Sequence, residues 1–146
     1  MILTPYLIVK NMEASTAFYT AYFGEKPTYY CPGRFVNFDA GNTRLSLYNP
    51  KYDENLINRG VDLNKHYNKA YLDASLGGKN NPAKYGNNVV LNISVGDLAA
   101  EYERVKTLGI ESVSEIMYIN ITAPYYFFTI YDPDGNCLEI TGGYEP

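Results

Sequence analysis

Residues Tyr125–Gly142 read YYFFTIYDPDGNCLEITG, two β-rich runs on either side of Asp132-Pro133-Asp134-Gly135-Asn136. Proline fixes one backbone dihedral and glycine supplies a positive one, so the spacing predicts a tight turn closing a hairpin. The second strand, Cys137-Leu138-Glu139-Ile140-Thr141, alternates, with Leu138 and Ile140 on one face and Glu139 on the other. A carboxylate standing alone on one face of a strand is the first candidate functional group in the chain. Its role depends on what the other strands bring beside it.

A chain of 146 residues fits one compact domain, or two small halves sharing a sheet. Hydrophobic content of 46% supports a real core and argues against disorder. The formal charge of −4 argues against a nucleic-acid surface, which needs clustered Lys and Arg, and favours a cationic or neutral partner. Cys31 and Cys137 lie far apart with no CxxC spacing, and Met1-Ile2-Leu3 lacks the basic start of a secretory segment. They read as free thiols in a cytoplasmic protein. No apolar run approaches the roughly 20 residues of a membrane span. Sixteen tyrosines and no tryptophan are the compositional oddity. Tyrosine joins an aromatic face to a polar tip, which suits half-buried ligand walls as well as ordinary strands.

In chain order, Ile2–Val9 alternates, with Leu3, Pro5, Leu7 and Val9 on a greasy side and Thr4, Tyr6 and Ile8 opposite. Asn11 is placed to cap a helix over Met12–Phe23, stopped by Gly24, with Met12, Thr16, Tyr19 and Tyr22 as its stripe. Short strands follow near Thr28–Cys31, over Arg34–Ala40 and over Thr43–Tyr48. In the last two, Val36, Phe38, Ala40, Leu45 and Leu47 share the greasy side, while Phe35, Asn37, Asp39, Arg44, Ser46 and Tyr48 share the mixed one. The first part therefore reads β-α-β-β-β.

Residues 50–86 break the rhythm, being rich in Asn, Tyr, Lys and Gly. A helical piece is expected near Leu63–Leu76, where Leu63, Tyr67, Ala70, Tyr71 and Ala74 share a face; the rest reads as linker or lid. The opening pattern then recurs. Asn88–Val95 alternates, with Val90, Asn92 and Ser94 on its mixed side, and Asp97 starts a helix with Leu98, Tyr102, Val105 and Leu108 as its stripe. A strand near Ser112–Ile119 and the terminal hairpin complete a second β-α-β-β-β. Val9 to Val95 and Met12 to Leu98 are both shifts of 86, the signature of a duplicated module. The expected organisation is a single domain over 1–146, with modules at 1–49 and 87–146 joined by an insertion at 50–86.

Val9-Lys10-Asn11-Met12-Glu13-Ala14-Ser15 with Phe18-Tyr19 and Phe23-Gly24, Val95-Gly96-Asp97-Leu98 with Leu108-Gly109, and Tyr131-Asp132-Pro133-Asp134-Gly135-Asn136-Cys137-Leu138-Glu139-Ile140 together carry a resemblance. The chain resembles the vicinal oxygen chelate superfamily of glyoxalases, bleomycin resistance proteins and extradiol dioxygenases. That resemblance implies an α+β fold of two βαβββ modules forming a curved half-barrel mixed sheet with helices on the outer face, usually as a homodimer. It also implies, in metal-using members, four ligands on the first and last strands of each module. Carried over residue by residue, those positions fall at Thr4, Ser46, Val90 and Glu139, of which only the last is a usual ligand. A divalent metal of this class takes at least three protein N or O ligands, so no metal or other cofactor is expected. A slip of two residues substitutes Tyr6, Tyr48 or Asn92, which does not restore the set. His66, the single histidine, falls in the insertion.

Independently of the resemblance, the mixed strand faces collect hydroxyls, amides, aromatic rings and a few charges, a chemistry that orients a small organic ligand but also suits a solvated sheet. The candidate ligand-binding residues are Thr4, Tyr6, Asn37, Arg44, Ser46, Tyr48, Asn92 and Glu139, with Arg44, Tyr48 or Thr4 as partner for the Glu139 carboxylate. Three readings compete. One is a metal-free binder that sequesters a drug or metabolite, as bleomycin resistance proteins do in antibiotic resistance. Another is a lyase or dioxygenase with atypical metal ligands, or with Glu139 as general base. The third is a non-catalytic interaction domain. Whether the chain is an enzyme stays open at this level, and no Ser, His and Asp grouping or Cys and His grouping points to nucleophilic catalysis.

Overall fold

The structure, a computed structural model, describes residues 4–60, 62, 68–74, 76–78, 80–85, 89–120 and 123–146. The chain divides into two compact units, Met1–Tyr85 and Gly86–Pro146, each with its own sheet. The fold is α+β, with the same module built twice.

In the first unit, β1 (Tyr6–Ile8) leads into α1 (Met12–Phe23), followed by β2 (Tyr29–Cys31), β3 (Phe35–Ala40) and β4 (Thr43–Tyr48). The sheet order is β1-β4-β3-β2, with β1 parallel to β4 and the rest antiparallel. Helix α1 starts where the sequence places it: the Asn11 side chain accepts from the Ala14 amide at 3.0 Å, and Gly24 closes the other end. Its buried residues are Met12, Ser15, Tyr19 and Tyr22. Ser15 takes the place expected for Thr16, because a helical stripe is wide enough to admit either neighbour and the smaller side chain lies at the contact. These residues meet Val9, Val36, Phe38, Leu45 and Leu47, the greasy strand faces, in one core.

The insertion is partly regular. Helix α2 (Pro50–Asn58) was not foreseen, although Asn49-Pro50 is a start signal: Asn49 accepts from the Lys51 amide at 3.1 Å and Pro50 occupies the first turn. The expected helix near Leu63–Leu76 is present as the shorter α3 (Lys69–Ala74), and positions 63–67 lie outside the described residues.

The second unit repeats the order. Strand β5 (Val90–Asp97) leads into α4 (Leu98–Lys106), then β6 (Met117–Asn120), β7 (Pro124–Tyr131) and β8 (Cys137–Gly143), ordered β5-β8-β7-β6 with β5 parallel to β8. Asp97 caps α4 through the Ala100 amide at 2.9 Å, the counterpart of Asn11 and Ala14 at the 86-residue shift. Leu98, Val105, Phe128, Ile130, Leu138 and Ile140 form the core.

The terminal hairpin turn is organised by Asp132, which is only 5% exposed. Its carboxylate accepts from the Asp134 amide at 2.9 Å, the Asn136 amide at 2.8 Å and the Asn136 side chain at 2.8 Å, while Gly135 takes the positive φ of 86°. A carboxylate can accept several amide bonds at once, and here it replaces the solvent that the turn excludes. Among the described residues, no helix is long and apolar enough to cross a membrane.

Candidate functional site

The mixed face of the first sheet is organised in cross-strand rows. Register places Cys31, Phe35, Tyr48 and Ile8 side by side across β2, β3, β4 and β1, and Tyr29, Asn37, Ser46 and Tyr6 in the next row. Residues paired across strands project to the same side, so both rows stand on the face opposite Val36 and Leu47. In the second row the centre is polar and internally satisfied: Ser46 Oγ donates to Asn37 Oδ1 at 2.6 Å, with Ser46 buried. Tyr6 and Tyr29, at the ends of that row, are 54% and 56% exposed.

The insertion returns to this face. The Asn49 amide donates to the Arg34 carbonyl at 2.9 Å, and its side chain to the Gly33 carbonyl at 2.9 Å, which pins the start of α2 against the β2–β3 turn. One turn into that helix, Asp53 therefore faces back toward the sheet. It meets Arg34 Nε at 3.1 Å and accepts from the Tyr48 hydroxyl at 2.6 Å. The Tyr48 hydroxyl in turn lies 3.1 Å from that of Tyr71 on α3. Downstream of α3, a Cβ on Gly77 would stand 2.6 Å from Pro50 Cγ and 3.4 Å from Ile8 Cγ2, so the chain there runs closely over α2 and β1.

The product is a cavity of about 380 Å³. Cys31, Phe35 and Tyr48 from the first row and Tyr6 and Tyr29 from the second line it, Tyr71 reaches it from α3, and Arg34 stands at its wall. Its volume lies in the range of small-molecule clefts, roughly 300–1,000 Å³. Burial, then the bond to the Asp53 carboxylate, pushes the Tyr48 phenol far above its ordinary range. Tyr48 is thus a neutral donor to Asp53, and a proton is held where a general base would need none. Asp53 is 7% exposed, with its charge balanced by Arg34.

The other sequence-derived candidates stand as follows. Thr4 is exposed ahead of β1. Arg44 pairs with Asp39 at 2.9 Å on adjoining strands near the β3–β4 turn, and that guanidinium holds the Asp39 carboxyl below its ordinary range. In the second unit, Asn92 and Glu139 are register partners, and Asn92 Nδ2 donates to Glu139 Oε1 at 2.8 Å. The partner of Glu139 is thus an amide on the neighbouring strand, where Arg44, Tyr48 or Thr4 had been expected. Cys137 is buried, and burial pushes its thiol up, so it is held as the unreactive thiol. His66 lies outside the described residues.

The metal site that the resemblance implies can be tested on its donors. Ser46 already gives its hydroxyl to Asn37, Val90 has no donor atom, Thr4 offers a weak neutral hydroxyl, and Glu139 is held by Asn92. This set does not fit a divalent ion of that class. Among the described residues, no three His, Cys, Asp or Glu side chains come together in a grouping that could hold one.

Asp53, Arg34, Tyr29, Cys31 and Tyr71 were missed as site residues. Asp53 had a signal, because a capped helix beginning at Asn49-Pro50 places it one turn in, facing the strand just before it. Arg34 and Tyr71 had none, since their meeting depends on how the insertion folds back.

The profile of the Glyoxalase/Bleomycin resistance protein/Dioxygenase superfamily matches residues 2–140. No functionally curated sequence matches the chain. Among solved structures, the chain is similar to lactoylglutathione lyase from Agrobacterium tumefaciens, with 22% identity, 98% of this chain and 93% of that one covered, and a TM-score of 0.64. A glyoxalase/bleomycin resistance protein/dioxygenase from Nocardioides gives 19% identity, coverage of 99% and 84%, and a TM-score of 0.66. A bleomycin-binding protein in complex with bleomycin gives 17% identity, coverage of 99% and 99%, and a TM-score of 0.57. At such identities these structures share the fold with this chain, and the match along nearly its whole length settles the family: the chain belongs to the Glyoxalase/Bleomycin resistance protein/Dioxygenase superfamily.

Proposed function

We propose that this protein binds and sequesters a small organic molecule, and that the tyrosine-lined cavity of its first unit is where the molecule sits. The observation that carries this reading is the cavity itself: among the described residues, five aromatic side chains converge on about 380 Å³, tied to a polar network by Tyr48. Aromatic walls contribute burial and ring contacts without demanding one geometry, and fixed polar groups orient the occupant. The solved bleomycin-binding protein of the same fold, in complex with bleomycin, supports small-molecule binding as a use of this fold. The reading includes a homodimer, as the resemblance implies.

Cys31 makes the site testable, because it lines the cavity whereas Cys137 is buried. A neutral planar probe, 2-naphthylmethanol, is expected to bind saturably and to slow alkylation of Cys31 by iodoacetamide. Tyr71→Ala should weaken that binding by up to about tenfold, the scale of a lost aromatic contact. Tyr118→Ala, on the second unit, should leave it unchanged. Failure of the probe to bind, or binding that leaves the Cys31 rate untouched, would refute the assignment.

A further inference from the structure

We infer that α3 is a latch over the cavity, held shut by the contact between the Tyr71 and Tyr48 hydroxyls, and that an occupant enters and leaves when that contact breaks. This rests on the reading of the cavity as a binding site and goes further, to how the site is opened. The other described residues of its wall belong to the first sheet or to the turn before β3, whereas Tyr71 is brought over that face by a separate helix of six residues. A helix this short is marginal by itself and keeps its place through the contacts on its face and at its ends.

The two sides of the latch are unequal. On the sheet side, Asp53 is nearly buried and meets both Arg34 at 3.1 Å and the Tyr48 hydroxyl at 2.6 Å. A carboxylate paired with a guanidinium accepts and does not donate, so the Tyr48 proton is committed to Asp53. The proton between the two phenols therefore comes from Tyr71, whose oxygen lies 3.1 Å away. That bond joins two neutral groups at the rim, where Tyr71 is 38% exposed, and it contributes less than the charge-assisted bond behind it. It is the first to open. The ends of α3 are fastened separately: the Asn68 side chain accepts from the Tyr71 amide at 2.9 Å, and Asn81 Nδ2 donates to the Ala74 carbonyl at 3.2 Å. The Gly77 amide donates to the Asn81 carbonyl at 2.7 Å, and Gly77 runs close against Pro50, so the turn after α3 is anchored on α2 while Tyr71 lets go.

Opening that precedes entry and exit has a kinetic signature: weakening the closed state raises the association and dissociation rates together and leaves their ratio nearly unchanged. Tyr71→Phe removes the latch hydroxyl and keeps the ring. In the ligand-free protein it should speed iodoacetamide alkylation of Cys31 by about two- to tenfold, the scale of one neutral hydrogen bond. Stopped-flow fluorescence of 2-naphthylmethanol, readable because the protein has no tryptophan, should show both rates raised by a similar factor. Asn81→Ala loosens the far end of α3 without altering a residue of the described cavity wall, and should change the same rates in the same direction. If Tyr71→Phe does not fold, Asn81→Ala decides alone. A rise confined to dissociation in Tyr71→Phe, the mark of a lost contact to the occupant, would overturn the inference. If the probe binds and protects Cys31 but neither variant moves the rates, only this inference fails. If the probe does not bind and both variants still speed alkylation, the latch stands and the proposed function falls.

Discussion

At the scale of single residues, Tyr48 joins sheet, helix and cavity. Its hydroxyl is bonded to Asp53 at 2.6 Å and lies 3.1 Å from Tyr71, so Tyr48→Phe removes two contacts and leaves a nearly buried carboxylate with one donor fewer. We expect a loss of about 1–3 kcal/mol in urea denaturation, the scale for a buried polar group left short of a partner. The same residue predicts an alkaline limb. Its folded-state value is raised above the ordinary 10.0, so the folded protein holds that proton after the unfolded chain has begun to release it. Stability from this group is therefore fully present below about pH 10 and declines as pH rises beyond it. Denaturation midpoints measured from neutral pH upward should show the decline, and Tyr48→Phe should flatten it. Arg44 and Asp39 form an exposed pair, so their separation should barely move the midpoint.

Among the elements, α2 and α3 turn a bare sheet face into a site. Their placement depends on a close backbone approach at Gly77, where φ is 87° and an added Cβ would stand 2.6 Å from Pro50 Cγ. Gly77→Ala is strained on both counts and should cost about 1–3 kcal/mol. Its sharper signature is local: weaker 2-naphthylmethanol binding and faster Cys31 alkylation, with α4 and the second sheet unaffected by hydrogen exchange. Unchanged Cys31 reactivity would show that this segment does not hold the cavity closed. The duplicated caps allow a comparison between modules. Asn11→Ala and Asp97→Ala each remove one side-chain acceptor from a helix start, at 3.0 Å and 2.9 Å, and each should cost about 1 kcal/mol in thermal denaturation.

For the whole molecule, the duplicated fold and the absent ligand set lead to one expectation. Binding of 2-naphthylmethanol should survive exhaustive chelation and be insensitive to added nickel, zinc or manganese, because Thr4, Ser46, Val90 and Glu139 do not form a ligand set and the described residues lining the cavity do not include Val90 or Glu139. Loss of binding on chelation, restored by one of these ions, would overturn that expectation. The proposed homodimer predicts a sedimenting mass near twice 16.5 kDa.

Much of this fold is legible without coordinates. Strict alternation over Phe35–Ala40 and Thr43–Tyr48, the Asn11 and Asp97 caps and the DPDGN turn are local signals, each set by backbone sterics or by one side chain meeting nearby amides. The helix caps recur at a shift of 86 residues and the Gly-Asn turns, Gly41-Asn42 and Gly135-Asn136, at 94, and together these signals define the family, the two-module plan and both cores. Of the candidate ligand residues, Tyr6 and Tyr48 line the cavity, because alternation had assigned them to the correct side of the sheet. The Asn92 partnership of Glu139 and the convergence of Arg34, Asp53 and Tyr71 became visible only with the tertiary structure. Strand pairing and the return of the insertion bring together groups 47, 19 and 23 positions apart, and neither periodicity nor turn chemistry encodes such contacts.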